Sequence, residues 1–112
     1  MPVIDKSTFD DLKQMSGAEF LNELIETFLD DAPKLLAEMQ SALEIGSADS
    51  FRRAAHSLKS NAATFGAGQL ADLAKEMESL ARENKLPETG DRLKALEEAL
   101  RSASEELRGL KS

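Results

Sequence analysis

Apolar residues return every three or four positions along almost the whole chain, and nowhere do they alternate as a half-buried strand would. That period is the main constraint on the fold, because it places an apolar stripe on one side of each helix and obliges the helices to bury it together. The capping-box pattern Ser7-Thr-Phe-Asp10 predicts the start of a short first helix with Phe9, Leu12 and Met15 on one side. Ser16-Gly17 breaks it. A second segment carries Phe20, Leu21, Leu24, Ile25, Phe28 and Leu29, then Leu35, Leu36, Met39 and Leu43. Pro33 lies inside this segment and either bends one helix or starts another; a bend is favoured. Gly46-Ser47 ends it. The third helix is expected from about Ala48 to Phe65, with Phe51, Ala55, Leu58, Ala62 and Phe65 as its seam. Gly66-Ala67-Gly68 makes a tight turn into a fourth helix bearing Leu70, Leu73, Met77, Leu80 and Ala81. A loop over 84–91, holding Pro87 and Gly90, leads to a last helix with Leu93, Leu96, Leu100, Ala103, Leu107 and Leu110.

Four long amphipathic segments with short connections imply an all-α fold, an antiparallel up-down four-helix bundle with a short N-terminal capping helix. At 112 residues the chain is expected to form a single domain over 1–112. It has no cysteine and one histidine, which argues against a disulfide framework or a Cys- or His-based metal site. The net charge of −7, with neither Trp nor Tyr, argues against nucleic acid, whose phosphates need a basic footprint. No apolar run approaches the roughly 18 residues of a membrane span, and the N-terminus lacks a signal-peptide core. A reducing cytoplasm is the expected location, without membrane contact. The acidic surface leans toward a monomer.

The one histidine, His56, has an unusual setting. On a helical wheel at about 100° per residue, Phe51, Leu58 and Phe65 lie roughly 180–220° from it, so the imidazole faces away from the core. Its own stripe holds Arg52, Lys59, Ser60 and Ala63, with Arg53 alongside; apart from the basic residues these are short, leaving room for another protein. From Ser50 to Ala71 there is no Asp or Glu, whereas Arg52, Arg53 and Lys59 are positive. A positive island in an acidic chain suits a transient anion such as phosphate. If the third and fourth helices fold back about Ala67, Glu78 lies level with His56. Its carboxylate would then hold one ring nitrogen and leave the other free as a nucleophile. Position alone does not make a histidine functional. The basic residues also read as a solvated face, and Gly66 as a simple helix cap.

His56-Ser-Leu-Lys59, with Gly66 ten residues after the histidine, resembles the histidine-containing phosphotransfer (HPt) domain family over nearly the whole chain. The family pattern is a histidine, a lysine three later, usually a glycine four later, and another glycine ten later. His56, Lys59 and Gly66 match; Ser60 stands where glycine is commonest, and is still small. The resemblance implies that His56 accepts a phosphoryl group from the aspartyl phosphate of a response-regulator receiver domain and passes it to another receiver. Lys59 would support the phosphoryl oxygens, and Glu78 occupies the place of the family's polar partner to the histidine. Ser60, Ala63 and Gly66 would permit close approach. Arg52, Arg53, Phe9 and Leu12 are the expected docking residues, although Phe9 also reads as closing the bundle. Mg²⁺ is expected on the receiver and no cofactor on this chain. A hybrid histidine kinase is a further expected partner. The chain lacks a Gly-rich phosphate loop of the G-x-x-x-x-G-K type, so it is expected to be a carrier without its own kinase activity. Two other readings stay open: the phosphoacceptor domain of a larger histidine kinase, against which Met1-Pro2 weakly favours a free-standing protein, and a non-catalytic helical adaptor in which His56 is incidental.

Overall fold

In a computed structural model that describes residues 4–111, the protein is helical throughout, with no strand among the described residues. The helices are α1 (Lys6–Ser16), α2 (Ala18–Ile45), α3 (Ala48–Thr64), α4 (Gly68–Arg82) and α5 (Gly90–Leu110), with a 3₁₀ turn at Leu86–Thr89 before α5. Helix α3 packs against α2 and α4, α5 packs against α4 and α2, and α1 rests on α2. At about 1.5 Å per residue the 28 residues of α2 reach roughly 42 Å, the long axis of a body 41 × 25 × 20 Å. Pro33 does not divide this helix. It removes one N–H from the ladder, but its exposed position lets water reach the carbonyl left over. No helix among the described residues is long and apolar enough to cross a membrane.

The seams predicted from periodicity meet in one core. Leu21, Ile25, Phe28 and Met39 of α2 pack with Phe51 and Leu58 of α3, Leu70 and Met77 of α4, and Leu96 and Leu107 of α5. Phe28 and Phe65 stack edge to face, ring centroids 5.4 Å apart. Three residues assigned to apolar faces lie outside the core: Met15 is 86% exposed, Phe20 53% and Leu110 41%. Met15 is in the last turn of α1, Phe20 in the first turn of α2, and Leu110 ends α5. At a helix end the apolar stripe runs past the neighbour that would cover it.

The entry to α1 differs from the capping-box expectation. Asp5, not Ser7, is the N-cap: its carboxylate accepts from the Ser7 backbone N–H at 3.2 Å and from the Thr8 hydroxyl at 2.9 Å. The same segment is tied down at two distant points. The Ile4 N–H donates to Glu106 of α5 at 3.0 Å, and the Asp5 N–H donates to the Gly66 carbonyl at 2.8 Å. Gly66 has φ +77°, and a Cβ built there would stand 2.9 Å from Thr8 Cβ and 3.0 Å from the Asp5 carbonyl oxygen. The turn between α3 and α4 is therefore clasped by the start of the chain.

Candidate functional site

Ser47 opens α3, its hydroxyl accepting from the Ser50 N–H at 3.4 Å, and the helix buries Phe51, Ala54, Ala55, Leu58 and Ala62. Burying that face turns the opposite one outward, and the His56 side chain is 57% exposed. Helix α4 packs along α3 and brings Glu78 beneath it, next to the core residue Met77. The Glu78 side chain is only 4% exposed. Its Oε2 lies 2.8 Å from His56 Nδ1, and its Oε1 accepts from Lys59 Nζ at 2.8 Å. Arg82, one turn further along α4, donates to Oε2 at 3.2 Å.

Burial pushes the Glu78 carboxyl up, but the hydrogen bonds and positive charge of Lys59 and His56 outweigh it and hold the group below the usual glutamate value. Glu78 is therefore a carboxylate, an acceptor only, so His56 Nδ1 carries the hydrogen between them and Nε2 carries the lone pair. The buried carboxylate fixes one face of the ring while the other nitrogen points away into a mostly open surface. Such an imidazole is pre-set as a nucleophile.

His56, Lys59 and Glu78 are brought together, as the wheel and the turn at Ala67 predict. Arg82 is the cation that sequence reasoning missed; its spacing of four from Glu78 on one helix was the available signal. Ser60 and Ala63 are exposed on the His56 side of α3. Together with His56, Ser57 and Asn61, Ser60 lines a groove of about 490 Å³ whose other wall is Asp31, Lys34, Leu35 and Glu38 of α2. Two carboxylates thus flank the histidine after all, delivered by a different helix.

The positive island is also less positive than the sequence implies. Arg52 donates to Asp49 at 2.9 Å, and Arg53 holds the same carboxylate through Nε at 3.0 Å and through Nη2. Hydrogen bonds from Arg52 and then Arg53 keep the Asp49 carboxyl below its ordinary range. Asp49 lies just before the acid-free stretch. Neither arginine is a free cation, and Lys59 is neutralised by Glu78.

Two further expectations need correction, those for Phe9 and Gly66. Phe9 is 4% exposed and belongs to the core, so it offers no docking surface. Leu12 is half-buried and packs against that core. Gly66 is small because Asp5 and Thr8 of its own chain press on it; the clearance it provides is internal.

Comparison with known proteins agrees with this arrangement. The family model described as the Hpt domain matches residues 23–106, a span that includes His56, Lys59, Gly66 and Glu78. Among solved structures, the fold is similar to histidine-containing phosphotransfer protein B (HptB) from Pseudomonas aeruginosa PAO1. The TM-score is 0.92 with 26% sequence identity, over 98% of this chain and 95% of that one. No match was found among curated proteins. With the family model spanning most of the chain and the fold matching that of a phosphotransfer protein, the protein belongs to the histidine-containing phosphotransfer (Hpt) domain family.

Proposed function

We propose that this histidine phosphotransfer protein works in a two-component phosphorelay with His56 as its phosphoacceptor. The observation that carries the assignment is the buried Glu78 carboxylate holding Nδ1 at 2.8 Å while the His56 side chain stays 57% exposed. Nε2 attacks the phosphorus of an aspartyl phosphate on a receiver domain. The N–P bond forms as the P–O bond to the aspartyl carboxylate breaks, and the carboxylate leaves with that electron pair. The ring gains positive character, which Glu78 stabilises through the Nδ1 hydrogen. Both phosphorylated species are high in energy, so a second receiver takes the group by the reverse displacement. Lys59, within reach of both Glu78 and the ring, exchanges its carboxylate contact for the phosphoryl oxygens.

The chain acts as a carrier, and the catalytic Mg²⁺ belongs to the receiver. Receiver domains and a hybrid histidine kinase are its partners, meeting it as a cytoplasmic monomer. The exposed face of α3 about His56, with Ser60, Ala63 and the paired Arg52 and Arg53, is the landing surface. The chain folds as a single domain, one antiparallel up-down four-helix bundle, with α1 capping the end at the α3–α4 turn. The short connections between consecutive long helices support that topology.

The test is incubation with a phosphorylated receiver and Mg²⁺. Wild type should acquire acid-labile, base-stable label, and His56→Gln none. Equal labelling of the variant removes His56 from the mechanism and leaves the helical-adaptor reading.

A further inference from the structure

A second groove lies between α2 and α5, and none of its lining residues lines the grooves about His56. It encloses about 290 Å³, below the ~300–1,000 Å³ of ordinary small-ligand sites, so it suits a side chain or two of another protein. Its floor is apolar: Pro33 and Leu36 from α2, and Leu100 from α5. Along the α5 rim run Arg101, Ser104 and Arg108, spaced i, i+3 and i+7. They share one stripe, roughly 10 Å long at 1.5 Å per residue.

Three observations mark this stripe. Of the six arginines, Arg52, Arg53, Arg82 and Arg92 each form an ion pair with a carboxylate, whereas Arg101 and Arg108 have no such partner among the described residues. Ser104 is only 9% exposed, lines the groove, and makes no hydrogen bond to a described residue. Among the described residues no buried side-chain oxygen is sealed off without a partner, so the Ser104 hydroxyl opens into the groove. Finally, the chain as a whole is −7, and a negatively charged segment would be repelled across most of its surface.

We propose that the α2–α5 groove binds an acidic amphipathic helical segment of a partner protein. Its apolar side chain fills the space over Leu36 and Leu100, and carboxylates two turns apart meet Arg101 and Arg108, with the Ser104 hydroxyl donating between them. Guanidinium groups bind carboxylates through two parallel hydrogen bonds, which gives orientation as well as attraction. Glu97, the one carboxylate among the lining residues, lies a turn before Arg101 and sets the direction in which the acidic segment lies. A phosphoryl carrier that exchanges partners at one histidine cannot keep a partner there between transfers. A groove on another flank holds one while His56 stays open.

The experiment is an amide-shift titration of the isotope-labelled full chain by NMR. The probe is a synthetic amphipathic helical peptide with Glu at two positions seven apart and Leu between them; the control carries Lys in place of each Glu. Shifts should cluster at Leu36, Leu100 and Ser104, weaken with added salt, and be absent with the Lys peptide. The double variant R101E/R108E should lose at least tenfold in affinity while taking phosphoryl from a receiver at the wild-type rate. R101Q/R108Q serves the same purpose if the charge reversal disturbs folding. Absence of shifts, shifts at the His56 face, equal binding of the Lys peptide, or unchanged affinity in both variants would each overturn the assignment. So would self-association of the chain, or binding of anionic lipid vesicles, through the same residues.

Discussion

Replacing Gly66 by alanine tests how the start of the chain is coupled to the α3–α4 turn. Two terms add. A non-glycine residue at φ +77° loses about 1–2 kcal/mol to left-handed backbone strain. The new Cβ would lie 2.9 Å from Thr8 Cβ and 3.0 Å from the Asp5 carbonyl oxygen, so Asp5 must retreat. The Asp5 N–H to Gly66 carbonyl bond of 2.8 Å is then lost, about 0.5–1.5 kcal/mol. The sum is about 1.5–3.5 kcal/mol. With an unfolding entropy of about 2.1 cal/mol/K per residue, Tm should fall by about 6–15 °C. Gly46→Ala is the control: φ is +73°, and nothing lies within 4 Å of the added Cβ. It bears the strain alone, about 1–2 kcal/mol, or a fall of roughly 4–8 °C. The gain from restricting the unfolded chain is the same for both and cancels. Thermal unfolding followed by circular dichroism reads the difference. Equal Tm losses in the two variants would refute the clasp.

Lys59→Ala should keep the helical fold and slow phosphotransfer about tenfold to a hundredfold, as expected for loss of one charged donor at a developing anion; rapid-quench rates check it, and an unchanged rate removes Lys59 from the mechanism. Glu78→Gln should transfer faster than Glu78→Ala, because the amide oxygen still accepts from Nδ1; equal rates would mean that the ring needs no acceptor. The Glu78 carboxyl is held below its ordinary value, so its stabilisation is present above the unfolded glutamate pKa of about 4.3 and is lost as pH falls through the lower folded value. The Tm gap between wild type and Glu78→Gln should close on that acid limb, and a gap that widens would reverse the sign assigned to Glu78. Asp49→Asn frees Arg52 and Arg53, and should raise the association rate with a phosphorylated receiver several-fold at low salt, an advantage that fades as salt is added; a salt-independent change would point to altered packing.

Much of the fold was legible along the chain. The seam of α3, its outward histidine and the break at Gly66 all follow from a 3.6-residue period, which is a property of one helix at a time. The pairing of His56 with Glu78 was legible for a related reason: a tight turn makes two helices level by counting. Phe9, Met15 and Phe20 show where that logic stops. All three sit on apolar stripes, yet Phe9 is buried while Met15 and Phe20 are exposed. Whether a stripe is covered depends on how far its neighbour extends.

The helical period, the acidic balance and the His56–Lys59–Gly66 spacing determined the fold class and the family from the sequence by itself. Tertiary structure decided the electrostatics of the site. The stretch free of acids in sequence is not free of them in space: Glu78 lies beneath the ring, and Asp31 and Glu38 line the facing wall of the groove. Charge acts through distance, and helix packing sets a carboxylate of α4 2.8 Å from the His56 ring and lines the same groove with carboxylates of α2. Gly66 gives the same lesson sterically. Its clearance serves Asp5 and Thr8, some sixty positions away in sequence and in contact only because the chain folds back on itself.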